Sequence, residues 1–363
     1  MRVGLDAHMV GGQETGNETY VRGLVEGFKA AGGDVDLVVY HVGSPWTAPS
    51  ARVRFQRLLT ASPYVRLGLE LPVRSVGQHL DVVHTTYGAP LWSAAPLVLT
   101  VHDICYVTNP EWFSTRDFRV LSNLVPRSIR KAAHVITDSS SARLQIIETY
   151  GVPEDKISSI PIGPGPGAQP ITEEEARREL SSLGLPPGRP FVLTVGNLQP
   201  RKNLVRMLAA FDELAAGGFD TDLVIVGPRR YRADEIFGAV RNRERIHFTG
   251  YITDRQLAAC YRCSTMLVLP SLYEGFGLPA LEAMAHGIPV ACSNAGALPE
   301  LCGDAAVLFD PLSVDAIAGA VGDILGDANL GARLGRAGLD RAGLFTWAQT
   351  VELTSKVYER VRS

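Results

Sequence analysis

Leu267-Val268-Leu269-Pro270-Ser271-Leu272-Tyr273-Glu274-Gly275-Phe276-Gly277-Leu278-Pro279-Ala280-Leu281-Glu282-Ala283-Met284 reads as a short buried strand, a tight turn and the start of a helix. Pro279 fits the first helical position, where a missing N–H costs nothing. The turn Gly275 to Leu278 then faces its backbone amides outward. Glycines without a Cβ let an anion approach those amides, and the positive end of the helix dipole favours a phosphate there. Glu274 and Glu282 stand on either side of this turn. A carboxylate only accepts hydrogen bonds, so the pair suits a ligand with hydroxyls at both ends of a phosphate group, the layout of a sugar nucleotide. The same residues also suit a plain strand-turn-helix corner with two solvated glutamates.

The same alternation of short β-rich runs with helical patterns extends in both directions and predicts an α/β protein with parallel sheets covered by helices. In the first half the expected strands are Val3-Gly4-Leu5, Val35 to Tyr40, Val82-Val83-His84, Leu97 to Val101 and His134 to Thr137. Pro161 to Pro170 is too rich in proline and glycine for a helix or a central strand and reads as a linker. A second series follows at Phe191 to Val195, Leu223 to Val226, Ile246 to Phe248, Met266 to Leu269 and Pro289 to Ala291. Two Rossmann-like domains result, expected over 1–168 and 169–346. Ligands of such sheets bind beyond the carboxyl ends of the strands, so a cleft between the two domains is the expected site.

Length and composition agree with this division. A chain of 363 residues exceeds what one core usually supports. With 46% apolar residues, 20% charged residues and a net charge of -3, the chain reads as globular and gives no sign of binding nucleic acid. No run approaches the roughly 18 apolar residues of a membrane span. Met1-Arg2-Val3 enters a strand pattern at once rather than a signal peptide, and five cysteines fit a reducing compartment, so a cytoplasmic protein is expected. Cys260 and Cys263 have the spacing of a zinc-binding pair, but they lie in a helical pattern without a second pair, and core packing explains them better. Asp34-Val35-Asp36 and Asp220-Thr221-Asp222 each precede a strand, at the amino end of the sheet, and read as solvated turns.

Three further segments carry chemistry. Gly196-Asn197-Leu198-Gln199-Pro200-Arg201-Lys202-Asn203 joins a strand to a helix, with Asn203 as its cap. Two cations at the positive end of a helix gain little structurally, which suggests that Arg201 and Lys202 face an anion; a solvated surface pair is the plainer alternative. The first strand leads into the glycine-rich loop Gly11 to Val21, which is not a G-x-G-x-x-G fingerprint. His102, in Val101-His102-Asp103, follows another strand and is either a ligand contact or a structural histidine.

With these residues in hand, the chain resembles the retaining glycosyltransferases of family 4, which have the two-domain GT-B fold, and Asp103 to Phe113, with Pro110-Glu111-Trp112-Phe113, resembles the bacterial mannosyltransferases among them. The likeness extends to Ala297-Leu298-Pro299-Glu300 and to Phe345-Thr346-Trp347 before a last helix, and it implies that 347–363 rejoins the first domain. It implies transfer of a hexose, mannose from GDP-mannose as the best guess, from a nucleoside diphosphate sugar to a hydroxyl of a glycan or lipid-linked acceptor. Retention at the anomeric carbon is implied, with no metal and no cofactor beyond the donor itself. By resemblance, Gly16 brings its N–H to the diphosphate, Arg201 and Lys202 neutralise it, and Gly275, Phe276, Gly277 and Leu278 hold the donor. Glu282 would accept the ribose hydroxyls, Glu274 those of the transferred sugar, and His102 would contact that sugar. Relatives often carry arginine where this chain has Asn197, which leaves that load to Arg201.

Arg52, Arg54, Arg57, Arg66 and Arg74 are interleaved with Phe55, Leu58, Leu59, Tyr64 and Leu67, against Glu70 alone, and Arg116, Arg119, Arg127, Arg130 and Lys131 follow. In the family this domain takes the acceptor. Peripheral contact with an anionic membrane, at the inner membrane face, stands against a solvated helix face as the reading of these charges. A sugar-nucleotide epimerase of the same fold and a non-catalytic sugar-nucleotide-binding protein are the rival functions.

Overall fold

Val3, Leu5, Val82, Val83, Val98, Leu99 and Val135 are buried on parallel strands, the pattern of a sheet covered on both faces. The computed structural model describes residues 1–12, 15–185 and 188–362. Gln13 and Glu14 of the expected glycine-rich loop lie outside the described residues. The chain divides into two compact units, Met1–Gly163 with Thr346–Ser363, and Pro164–Phe345.

The first unit holds β1 (Arg2–Asp6), β2 (Asp36–His41), β3 (Val53–Arg57), β4 (Val82–Thr86), β5 (Leu97–Thr100), β6 (His134–Thr137) and β7 (Ile157–Ser159). Their order is β3-β2-β1-β4-β5-β6-β7, all parallel, so the strand order reverses between β1 and β4. The helix Trp347–Arg362 packs back on this unit. Trp347 needs Gly23 beneath it, since a Cβ there would lie 2.0 Å from the indole, and the Tyr358 hydroxyl reaches His84 Nδ1 at 2.6 Å. His84 also meets Thr100 Oγ1, and burial pulls its pKa down to about 3, so it is a neutral core residue.

β3 is a strand where a helix face was expected. Val53-Arg54-Phe55-Gln56-Arg57 alternates, and as an edge strand it can carry exposed arginines. The arginines beyond it do not form one solvated face either. Arg66 opens a π-helical turn, Arg66–Glu70, and is buried in an ion pair with Asp6 at the end of β1, while Arg74 pairs with Glu70.

The second unit holds β8 (Phe191–Val195), β9 (Asp222–Val226), β10 (Ile246–Gly250), β11 (Met266–Leu269), β12 (Val290–Ser293) and β13 (Ala306–Phe309). The order is β10-β9-β8-β11-β12-β13, again parallel, with the reversal between β8 and β11. Crevices at such a reversal are where open α/β sheets bind ligands, and the loops that leave β8 and β11 carry Arg201, Lys202 and Glu274. The boundary falls at Gly163/Pro164 rather than after Ala168, because the turn Pro166–Ala168 is hydrogen-bonded into this unit through Gly167. Asp222 is no solvated turn. It is 3% exposed and bridges Arg189 Nε at 2.5 Å and His247 Nε2 at 2.7 Å.

Candidate functional site

Two loops of the second unit are tied together. The backbone turns sharply at Gly196, whose φ of +151° suits glycine, and a Cβ there would meet Lys202 Cε at 2.7 Å. Pro200–Lys202 forms one 3-10 turn that ends at Asn203 in the left-handed region, φ +55°. Asn203 occupies the cap position of the helix Leu204–Ala216, but its side chain does not cap it. Its amide donates instead to Pro270 O at 2.9 Å and Pro311 O at 2.7 Å, and Leu272 N donates to Arg201 O at 2.8 Å. The loop after β8 is thereby stapled to the loop after β11.

Glu274 is the centre of this arrangement. Lys202 Nζ donates to Oε1 at 2.5 Å, Ser271 Oγ donates to the same oxygen at 2.5 Å, and Arg201 Nη1 donates to Oε2 at 2.9 Å. Arg201 also holds Tyr273 O at 2.7 Å. From below, Ala297 N donates to Glu274 O, and Gly296 at φ +60° leaves only enough room for that contact, since a Cβ would come within 2.4 Å of the carbonyl. Burial alone would raise the carboxyl, yet Lys202 and Arg201 hold it down at about 2, so the group is ionised across the working range.

The glycine turn follows. Gly277, at φ +107°, packs so closely on Leu298 that a Cβ would lie 2.7 Å from its Cδ2. Phe276 is buried edge-on to Phe345, and Leu278, not Pro279, is the first residue of the helix Leu278–Ala285. Among the described residues nothing accepts from the N–H groups of Phe276, Gly277 and Leu278, as expected of a turn able to cradle an anion. Gly275 lies in the same turn, buried.

Glu282 sits one turn and a half into that helix in a different environment. Oε1 accepts from Gly167 N at 3.2 Å and Oε2 from Tyr261 Oη at 2.8 Å. Among the described residues no cation pairs with it, and burial pushes its pKa up to about 7. The two glutamates of the motif are therefore unlike: one is permanently charged, the other is poised to change state near neutrality. Cys260 and Cys263 flank Tyr261 on the helix Asp254–Cys263 as free thiols, and no metal-binding cluster occurs among the described residues. Glu300 is exposed on the short helix Leu298–Cys302.

In the first unit, His102 follows β5 and is gripped at both ring nitrogens. Nδ1 lies 2.6 Å from Asp138 Oδ2 and Nε2 lies 3.2 Å from Asn17 Oδ1. The rings of Tyr20 and Tyr87 meet it edge-on at 4.9 and 5.7 Å. Burial pulls the imidazole pKa down, but Asp138 outweighs this and the net shift is upward. Gly16 lies exposed in the first turn of the helix Thr15–Ala31, and it is its neighbour Asn17 that bonds His102. The sequence did not single out Asp138, Asn17, Ser271, Tyr261 or Gly167. Asp138 directly follows β6 and Ser271 follows β11 by two residues, and the carboxyl end of a strand in a parallel sheet was a usable signal for both.

Two family models match the chain: Glycosyltransferase Family 4 over residues 15–163 and Glycosyl transferases group 1 over residues 175–341. O-antigen chain mannosyltransferase B of Escherichia coli is 32% identical over 266 residues, which cover 72% of this chain and 70% of that protein. D-inositol 3-phosphate glycosyltransferase of Nocardia farcinica is 30% identical over 316 residues, covering 80% and 68%. Among solved structures, sucrose-phosphate synthase from Thermosynechococcus elongatus superposes with a TM-score of 0.77 at 24% identity over 99% of this chain and 98% of its own. WaaG, a glycosyltransferase of lipopolysaccharide biosynthesis, superposes with a TM-score of 0.74 at 16% identity over 99% of both chains.

Proposed function

The chain belongs to glycosyltransferase family 4 and is a glycosyltransferase of the GT-B fold, and on that footing we propose that it transfers mannose from GDP-mannose, with retention and without a metal ion, to a hydroxyl of a glycan or lipid-linked acceptor in polysaccharide biosynthesis. The observation that carries this reading is the Lys202–Glu274–Arg201 cluster at the reversal point of the second sheet. A nucleoside diphosphate leaves with negative charge on its terminal phosphate, and the cost of that charge dominates the barrier. An ammonium with three donors and a guanidinium with five can hold Glu274 and phosphate oxygens together, in the role a divalent ion plays elsewhere. The amides of Gly275 to Leu278 add the helix end to this field. Glu274, ionised and immobile, accepts a sugar hydroxyl at the remaining site of Oε2 and fixes the reacting carbon, and Glu282 accepts ribose hydroxyls.

The choice of mannose rests on relatives. Three of the similar proteins, O-antigen chain mannosyltransferase B, mannosyltransferase WbdA and an MMP alpha-(1->4)-mannosyltransferase, are named for it at 28–32% identity. In the first unit, His102 held by Asp138 at Nδ1 would donate to a sugar hydroxyl from Nε2 in exchange for Asn17 Oδ1, and Gly16 offers an N–H in the first turn of a long helix.

For the acceptor, the first unit has an exposed apolar stripe. Val65, Leu69, Val73 and Val76 recur at helical spacing, and Leu59 and Tyr64 are 85% and 86% exposed. Leu91, also exposed, is tied to the same segment through Leu67 O, and Lys131 Nζ bonds Leu91 O. With Arg54, Arg57, Arg127 and Arg130 exposed in this unit, the surface suits the anionic, cytoplasmic face of the inner membrane. The test of the reaction is incubation with GDP-mannose, a glycan acceptor and a chelator: transfer with an α-linked product supports it, whereas release of free rearranged sugar without acceptor identifies an epimerase.

A further inference from the structure

Glu282 and the groups around it form a unit that the transfer reaction alone does not explain. A carboxylate has about four acceptor sites, two on each oxygen. Gly167 N–H takes one on Oε1 and Tyr261 O–H takes one on Oε2, which leaves one on each oxygen. Gly167 is itself clamped. His286 Nε2 lies 2.8 Å from Gly167 O, and the His286 ring stacks on Tyr261 with centroids 5.8 Å apart. Any side chain at position 167 would strike this assembly, since a Cβ would be 2.9 Å from both Glu282 Cδ and Tyr261 Cε2. Tyr261, His286 and Gly167 come from the helix Asp254–Cys263, the end of the helix Leu278–Ala285 and the turn Pro166–Ala168. Two other elements thus converge on a carboxylate of the helix Leu278–Ala285, and His286 at the end of that same helix braces one of them; none brings Glu282 a positive charge: burial keeps His286 low, and Asp254 is the other charge acting on Glu282.

We propose that Tyr261 and His286 are positioning residues that turn Glu282 into a receptor for a vicinal cis-diol, Tyr261 directly and His286 through Gly167, so that the site selects ribonucleotides over 2′-deoxyribonucleotides. This rests on the reading of Glu282 as the ribose contact. Two hydroxyls on adjacent ring carbons can donate one hydrogen bond to each oxygen, filling the one site that Gly167 and Tyr261 leave on each. A single hydroxyl leaves one acceptor of a buried, desolvated carboxylate unsatisfied, which is costly. The diol also favours the ionised form, so binding expels the proton that burial retains.

The experiment is calorimetric titration of the wild-type chain and the variants Tyr261→Phe, His286→Ala, His286→Gln and Glu282→Gln with GDP, UDP and ADP. The nucleotide that binds is then compared with its 2′-deoxy form between pH 6 and 8. The wild type is expected to prefer the ribonucleotide about tenfold or more, the scale of one hydrogen bond to a charged group. Tyr261→Phe should weaken the ribonucleotide about tenfold, leave the deoxy form nearly unchanged, and move the affinity profile to higher pH. His286→Gln, which keeps a donor, should retain the preference that His286→Ala reduces. A purely structural tyrosine would weaken both nucleotides equally, and an unchanged preference in both Tyr261→Phe and His286→Ala overturns the proposal. Should Tyr261→Phe lose its circular-dichroism melt, the two His286 variants decide. An unchanged preference in Glu282→Gln removes the ribose reading itself, a separate outcome from failure of the positioning claim.

Discussion

Lys202 Nζ lies 2.5 Å from Glu274 Oε1, so the cation expected at a phosphate and the carboxylate expected at a sugar are partners of one another. Both are buried. Their mutual pairing fixes the Glu274 carboxylate in one orientation, with Arg201 on its second oxygen and Ser271 behind the first. The consequence for mutation is more than chemical. Glu274→Gln keeps the shape and is expected to reduce kcat by about 100-fold or more, as loss of a transition-state contact does. Lys202→Ala should do the same and also lower stability by about 1–3 kcal/mol, because Glu274 then stays buried with one of its two cations gone, held by Arg201 and Ser271. Turnover with paired thermal melts checks both. Near-normal kcat in either variant removes that residue from the mechanism.

Glu282 makes the stability of the free protein depend on pH. Its carboxyl pKa is raised from 4.5 to about 7. Its contribution is therefore fully present below about pH 4.5 and is lost as pH rises through 7. Glu282→Gln, which cannot ionise, should melt close to the wild type at pH 5 and relatively higher at pH 8. Added nucleotide reverses the trend, because it binds the ionised form. Melting curves of the two proteins from pH 5 to 8 check this, and a constant difference across the range contradicts it.

The apolar stripe of the first unit predicts lipid binding. The wild type should float with phosphatidylglycerol-containing vesicles at low salt and not with pure phosphatidylcholine. Leu69→Asp with Val73→Asp should abolish flotation while leaving nucleotide binding unchanged. Absence of flotation of the wild type at low salt ends the membrane reading.

Much of this architecture is local enough to be read from the chain. Ten strands show as compact apolar runs, and the segments holding Arg201, Lys202, Glu274 and Glu282 announce themselves through glycines, prolines and charges at fixed spacing. β3 stays hidden because an edge strand tolerates Arg54 and Arg57 on its open side. β7 is three residues long, and β13 carries an exposed Leu308. What the sequence hides at the site is long-range pairing. Nothing adjacent to Glu282 reveals that Gly167, 115 residues earlier, closes over it, or that Tyr261 bonds it across 21 residues. The two glutamates look alike in the motif, and only their neighbours separate a carboxylate held near 2 from one raised to about 7.

The central claim is that the second unit binds a nucleoside diphosphate sugar through these residues. Calorimetric titration of the intact chain with GDP, UDP, ADP and their sugars, in chelator, tests it most directly. One nucleotide is predicted to bind at a single site and to lose affinity about tenfold or more in Lys202→Ala and in Glu282→Gln. Absence of binding by every nucleotide, or binding that both variants leave unchanged, contradicts the account.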